Sequence, residues 1–402
     1  MGISIYRVTL TLTSPAIVGA KGSERGLLYR ITRDIIYGAT FHGALVKMLA
    51  LNVYRGSIIE SQALQTFVTP LYPVTPGNDA KLRKLYNNVT VAHALSVCGK
   101  GAASSIVTSY NIGRVIELLE QGQGIEDAIA KAVEEFTKSF QEAVIRHGVG
   151  VSVNVADLKL AQGVAVEKVS SSGAEIWRKV KVRKDMYLEN AVDRARGSVY
   201  AGALYGYEYI APETVFTGYV ACRDGQGLCD GLSKVSKAEI LIGKGQGRGF
   251  GRARIEVEQV KPEEIVKVSC PIGEKLVALV SSSISFVADP MARPVSVGDM
   301  LETLSGVKLM VKHVIGSRID TYTGWSRLRH SPKLVVRGNA PGTIIIAELS
   351  ETKLSEDACI ELLMGMLRNS LPGFNTFHVV RRDPLYISPD TYISIAKIYA
   401  SV

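Results

Sequence analysis

Hydrophobic and polar positions alternate at the start of the chain. Across residues 5–13 the apolar Tyr6, Val8, Leu10 and Leu12 interleave with Arg7, Thr9 and Thr11, the period-two pattern of a half-buried strand. Ser14-Pro15 closes it, residues 19–26 form a polar, glycine-bearing loop, and strand character resumes over 27–36. The period then lengthens, predicting an apolar helix through about Tyr54 with Thr40 as its N-cap. Residues 112–146 place Ile125, Ile129, Ala132, Val133, Phe136, Phe140 and Val144 at helical spacing, with Gly122 and Gly124 breaking the pattern.

Further on, Lys179, Lys181 and Arg183 alternate with Val180 and Val182, predicting a strand with its cations on one face. A short helix at 231–237 and one more strand lead to position 241. Lys261-Pro262 marks a boundary, so the expected domains are 1–262 and 263–402. Within the first, about 75–180 reads as an insertion, because 77–109 is rich in Gly, Ser, Ala and Asn and a long helical stretch follows; contact with a neighbouring subunit and an internal solvated helix are the two readings of it. Beyond the boundary, strands are predicted at 275–287 and 343–347, and a short helix at 299–304.

The stretch that changes this picture is LIGKGQGRGFGRARIE at 241–256. Gly243, Gly245, Gly247, Gly249 and Gly251 alternate with Lys244 and Arg248, and Arg252 and Arg254 follow before any acid. Glycine admits close approach by another molecule, and successive exposed N–H groups form an anion-attracting nest. With three guanidinium groups added, phosphate-backbone binding is the expected chemistry. A hairpin turn with solvated cations is the competing explanation. No G-x-G-x-x-G and no G-K-[ST] occurs here, which argues against a mononucleotide site.

Composition sharpens the choice of ligand. The chain has 402 residues, 47% hydrophobic and 21% charged, and a formal net charge of +9. That balance fits a core-forming protein with an acidic partner, nucleic acid ahead of a membrane surface. No apolar run reaches the roughly 18 residues of a membrane span. The alternating N-terminal segment lacks a signal-peptide layout, so a cytoplasmic protein is expected. Five cysteines stand at 98, 222, 229, 270 and 359 without a C-x-x-C pair. Reduced, buried thiols are expected, with a disulfide or metal half-site between Cys222 and Cys229 as the alternative. No zinc pattern exists, and no metal or cofactor is expected.

The run I-G-x-G-x-G-x-G-F-G-R-x-R-I at 242–255 resembles the glycine-rich loop of the RAMP proteins, the RNA-binding subunits of CRISPR–Cas effector complexes. Three further segments resemble the same superfamily in order. Gly38, Gly43 and Ala44 match its helix-opening motif, although Tyr37 and Ala39 replace a Pro and a Ser. Asp193-Arg194 and Gly197, then Gly202, Leu204, Tyr205 and Glu208, then Phe216 and Gly218 resemble its D-R-x-x-G to F-x-G block. Gly324-Trp325 with Pro332-Lys333 resembles the C-terminal half of the large RAMP subunit of subtype III-D, the Csx-ten family in words.

The resemblance implies an α+β fold of two ferredoxin-like (RRM-like) domains, with the helical insertion in the first. It implies a non-catalytic subunit of a type III CRISPR interference complex in antiviral defence. Such a subunit holds the 5′ repeat handle of the guide RNA (crRNA) and contacts the polymerase-like large subunit and the backbone RAMP subunits. The expected RNA-binding residues are the five loop glycines with Lys244, Arg248, Arg252 and Arg254, the cations Lys179, Lys181 and Arg183, and Trp325 and Arg327. Tyr322 and Trp325, if exposed among these cations, suit base stacking, with a place in the core as the equal alternative for Trp325. One rival is a metal-independent endoribonuclease that processes guide RNA, for which His42 is the candidate acid or base. A second is a target-cleaving backbone subunit. That needs an Asp after the first strand, where GAKGSERG at 19–26 has none. A third is a generic RNA- or ribosome-binding protein.

Overall fold

The computed structural model describes residues 3–19, 28–55, 60–74, 106–107, 111–148, 166–171, 174–180, 182–193, 195–223, 227–261, 273–281, 283–285, 301, 306–315, 319–322, 324–326, 331–332, 335–349, 354–355, 358–359, 362, 373–374, 377–380, 388 and 390. It is a mixed α/β structure. The chain opens with β1 (Ile3–Leu12), β2 (Leu28–Arg30), α1 (Gly38–Asn52), α2 (Glu60–Leu64), β3 (Thr66–Val68) and β4 (Tyr72–Val74). Next come β5 (Ile106–Val107), α3 (Ile112–Glu120), α4 (Ile125–Arg146), β6 (Val166–Ser171) and β7 (Ala174–Lys179). A long hairpin, β8 (Lys184–Asp193) and β9 (Ser198–Ile210), precedes β10 (Val215–Arg223), α5 (Cys229–Ser233), β11 (Lys237–Leu241) and β12 (Arg252–Val260). Then follow β13 (Leu276–Ser281), β14 (Leu309–Ile315), β15 (Ile319–Tyr322) and β16 (Trp325–Ser326). The last strands are β17 (Ser331–Pro332), β18 (Val336–Asn339), β19 (Ile344–Leu349) and β20 (Phe377–Val380).

Two antiparallel sheets organise the fold. The first runs β11-β12-β1-β10-β3, with β4 also on β10; the second runs β14-β19-β13-β20. With the edge strand β11 set aside, both read fourth, first, third, second in order along the chain. In the first sheet the alternation of β1 holds as predicted. Tyr6, Val8, Leu10 and Leu12 are buried against Phe41, Leu45, Met48 and Leu49 of α1, which recur on one helix face. Burial of each such side chain contributes about 1.5–3 kcal/mol.

The second sheet is covered on both faces. Ala278, Val280, Ile344 and Ile346 pack against Ile112, Val115, Ile116 and Leu118 of α3 and against Ala128 and Ala132 of α4. Val277, Leu279, Ile345 and Ala347 face the other way, against Leu301, Leu354, Cys359 and Leu362. A strand buried on both sides needs a continuous apolar run, which IIIA in β19 supplies. The two helices at 112–146 thus spend much of their apolar face on their own chain's second sheet. A fork from Arg114 to both Glu135 oxygens, at 2.9 and 3.0 Å, ties α3 to α4.

The two halves meet at a largely buried cluster. Arg33 donates to both Asp320 oxygens at 2.7 and 3.0 Å, and the Tyr37 hydroxyl donates to Asp320 at 2.6 Å. Tyr322 packs edge-on to Tyr37 and Phe374, with centroids 5.9 and 5.4 Å away. Gly38 and Gly373 meet backbone to backbone, so a side chain at either would collide with the other.

Several expectations are corrected. The first helix begins at Gly38 with Tyr37 as an N-cap that makes no side-chain cap bond. The contacts of Tyr37 and Gly38 with the second half set that turn, and Thr40 falls inside the helix. Among the described residues of 27–36 there are β2, a bridge at Ile31 and an isolated bridge at Ile36 in place of a continuous strand, and Thr32 is drawn aside. Its N–H bonds Glu208 and its hydroxyl bridges the Val18 backbone. Residues 179–183 do not form one strand: β7 ends at Lys179 and β8 starts at Lys184. The reduced-thiol expectation fails for Cys222 and Cys229, which form a disulfide with Cα atoms 5.8 Å apart, and for Cys359, which is disulfide-bonded as well. Cys222 and Cys229, at the end of β10 and the start of α5, are both buried.

Candidate nucleic-acid interface

The glycine-rich loop joins β11 to β12 and lies on the segment that follows β1. Lys244 N–H donates to the Ile17 carbonyl at 2.9 Å, and Gly251 N–H to that of Pro15 at 2.7 Å. Within the loop, Ile242 N–H bonds Gly251, while Arg248 and Phe250 N–H both bond the Gly245 carbonyl around a short 3-10 turn, Gln246–Arg248. These N–H groups are spent internally. The loop's side chains carry the positive charge.

The glycines divide into two kinds. At Gly243 and Gly251 the backbone has φ of +79°, and an added Cβ would collide with the carbonyl oxygens of Ile17 and Ile242 respectively. Those two are needed to seat the loop. Gly247, by contrast, has no positive φ, is exposed, and an added Cβ would meet nothing within 4 Å. The fold alone does not require glycine there.

Against this loop stands one face of the β8–β9 hairpin. The register sets Asp185 opposite Tyr209, Tyr187 opposite Tyr207 and Glu189 opposite Tyr205, all on the same side of the ribbon. Phe250 packs edge-on to Tyr187 and Tyr209 at centroid distances of 6.1 and 6.2 Å. The Arg248 guanidinium lies 4.9 Å above the Tyr207 ring and donates to both Glu189 oxygens at 2.8 Å. Burial alone would lower the Arg248 pKa, yet the bond to Tyr207 and the Glu189 charge raise it. The Tyr205 hydroxyl bonds Glu189, which raises its pKa too. The loop and the hairpin together hold a cation on an aromatic floor.

Arg252 and Arg254 extend the positive surface along β12. They are exposed and share a strand face with Glu256 and Glu258. Glu256 pairs with Lys237 at 3.1 Å and Glu258 with Arg7. Among the described residues neither Arg252 nor Arg254 has a carboxylate partner, so the loop end of the strand is its cationic end. Arg183 is exposed at the base of the hairpin.

Tyr322 and His42 are placed elsewhere, and the remaining predicted side chains lie outside the described residues. Tyr322 is committed to the contact between the halves, and burial raises its pKa. Trp325 lies in β16, paired with Pro332, and its side chain is outside the described residues. Lys181, Arg327 and the side chain of Lys179 are outside them as well. His42 Nε2 donates to the Ala63 carbonyl at 2.8 Å, a packing role between α1 and α2. The Tyr187, Tyr205, Tyr207, Tyr209 and Phe250 group was missed as a site. The alternation of tyrosines at 205, 207 and 209 was the available signal.

No protein-family model matches the chain, and no curated protein matches it. Among solved structures, the type III-B Cmr-beta complex bound to cognate target RNA and AMPPnP contains a similar chain. The two are 15% identical over 85% of this chain and 86% of that one, with a TM-score of 0.42. Cmr4 from Pyrococcus furiosus is 12% identical over 65% of this chain and 100% of its own, with a TM-score of 0.26. A chain of a type IV-B CRISPR complex is 11% identical over 64% and 90%, at 0.24. Likenesses this distant carry no functional argument. Among the described residues no helix is long and apolar enough to cross a membrane.

Proposed function

We propose that this chain is a RAMP-type, RNA-binding subunit of a type III CRISPR effector complex, of the subtype III-D kind, and that it holds the 5′ handle of the guide RNA. It docks there against the polymerase-like large subunit and the backbone RAMP subunits, in the cytoplasm. The observation that carries this reading is Gly247: an exposed glycine at the loop tip with no conformational or steric need to be one, set between Lys244 and Arg248. A glycine there leaves room for a ligand backbone. Arg248, Arg252 and Arg254 then meet its phosphates. Glu189 takes the Nη1 donor of Arg248, so a phosphate meets the guanidinium through its other N–H groups or by displacing that carboxylate.

The common strand order of the two sheets supports a pair of ferredoxin-like domains, the order that fold has. Two of the segments that resemble the superfamily, the glycine loop and the β9 part of the D-R-x-x-G to F-x-G block, also meet through the stretch that follows β1. The Ser14–Val18 stretch, the hairpin and the glycine loop share the bonds at Ile17, Pro15 and the Ala16–Ile210 bridge. The bond from His42 Nε2 to the Ala63 carbonyl gives that nitrogen a packing role between α1 and α2, and no observation favours the nuclease alternative.

Binding and cleavage of a labelled CRISPR repeat RNA tests the proposal, with wild type compared to Arg248→Ala/Arg252→Ala and to His42→Ala. Binding that the arginine pair weakens, with the RNA left intact by all forms, is the expected result. Specific cleavage lost in His42→Ala would make the chain a processing nuclease instead.

A further inference from the structure

We infer that the aromatic face of the β8–β9 hairpin beside the glycine loop is a stacking site for one unstacked nucleobase of single-stranded RNA, with Tyr187 as its platform. This rests on the RNA-binding reading of the loop and adds a second contact of different chemistry. Four tyrosines of this hairpin line up in register at 187, 205, 207 and 209, and the loop adds Phe250. A group that served only to pin the loop would be covered by it. Tyr187 instead leaves 47% of its surface open, and its contact with Phe250 is T-shaped, at 72°, rather than a stack that would cover a whole ring face. Edge-to-face neighbours also fix the ring's orientation, so little freedom is lost when a base arrives.

Position decides the ligand class. Arg248 sits above Tyr207, which is the residue directly opposite Tyr187, so phosphate donor and platform are neighbours on one ribbon. A phosphate at Arg248 carries its own base within reach of that platform. Aromatic stacking accepts any base, because every base has a π-face, and it needs that base out of a duplex. Double-stranded RNA has none to offer.

The test uses the full chain with two labelled probes of equal length, a single-stranded RNA and an abasic ribose-phosphate oligomer. Tyr187→Leu keeps an apolar side chain and removes the ring; Tyr187→Phe keeps the ring. Stacking predicts that Tyr187→Leu weakens RNA binding roughly tenfold, that Tyr187→Phe binds as wild type, and that all three bind the abasic probe alike. Equal RNA affinity for wild type and Tyr187→Leu overturns the inference. So does an equal loss on both probes, which would mean that Tyr187 only shapes the loop. The loop reading is tested separately in the same assay: Arg248→Ala/Arg252→Ala should weaken both probes. If it weakens neither, the RNA-binding reading fails, and a wild-type chain that binds neither probe sinks both proposals.

Discussion

The two sheets share one strand order and differ in what lies on their second faces. The C-terminal sheet is sealed by α3 and α4 on one side and by Leu301, Leu354, Cys359 and Leu362 on the other. The N-terminal sheet buries one face and leaves Arg252, Arg254, Glu256 and Glu258 of β12 exposed on the other. One order of strands therefore yields a frame in one half and a working surface in the other. Extra helices make the difference. Where helices take up a second apolar face, a sheet has only stability to offer; where polar residues remain, it can also meet a ligand.

This contrast can be broken first where the halves join. Arg33→Ala leaves Asp320 largely buried without its cation and should cost about 3 kcal/mol, read by denaturant unfolding. Burial alone would raise the Asp320 pKa, but the bonds from Arg33 and Tyr37 outweigh it and the net shift is downward. A carboxylate depressed in the folded state contributes fully above its unfolded value of about 3.9. That contribution is lost as pH falls through the lower folded value. Asp320→Asn should flatten the acid limb of a stability–pH curve. Within the sheets, Ile346→Ala in β19 should cost about 2–5 kcal/mol, because the site is filled from both strand and helix. Thr9→Ala on the open side of β1 should cost under about 1 kcal/mol. Equal losses would erase the distinction between frame and surface.

Much of the surface was legible in the sequence, and much of the frame was not. The alternation in β1, the break at Gly122 that separates α3 from α4, and the glycine loop all follow from local pattern. Long-range pairing hid the rest. Tyr187 meets Tyr207 only through hairpin register, and Glu189 meets Arg248 across 59 positions. The apolar faces of α3 and α4 find their partners at 278–280 and 344–346, after the chain has completed the first sheet. The start of α1 is set by Gly373 and Asp320, contacts that override the capping preference of Thr40.

Smaller effects sharpen the comparison inside the surface itself. Gly251→Ala forces a side chain onto the Ile242 carbonyl at positive φ and should destabilise by about 1–3 kcal/mol. Gly247→Ala should stay within about 0.5 kcal/mol of wild type in the same unfolding measurement. Smallest of all, Glu189→Gln removes the carboxylate charge that competes for Arg248. It should tighten RNA binding only a few-fold, since the pair is partly exposed and screened. The gain should vanish in an Arg248→Ala background.

The most direct measurement is the salt dependence of single-stranded RNA binding by wild type and by Arg248→Ala/Arg252→Ala/Arg254→Ala. If these arginines hold phosphates, the slope of log K against log salt should shrink by about 0.7 for each contact removed, roughly 2 in all. An unchanged slope, with or without a loss of affinity, would place the phosphate contacts elsewhere and contradict the glycine-loop account.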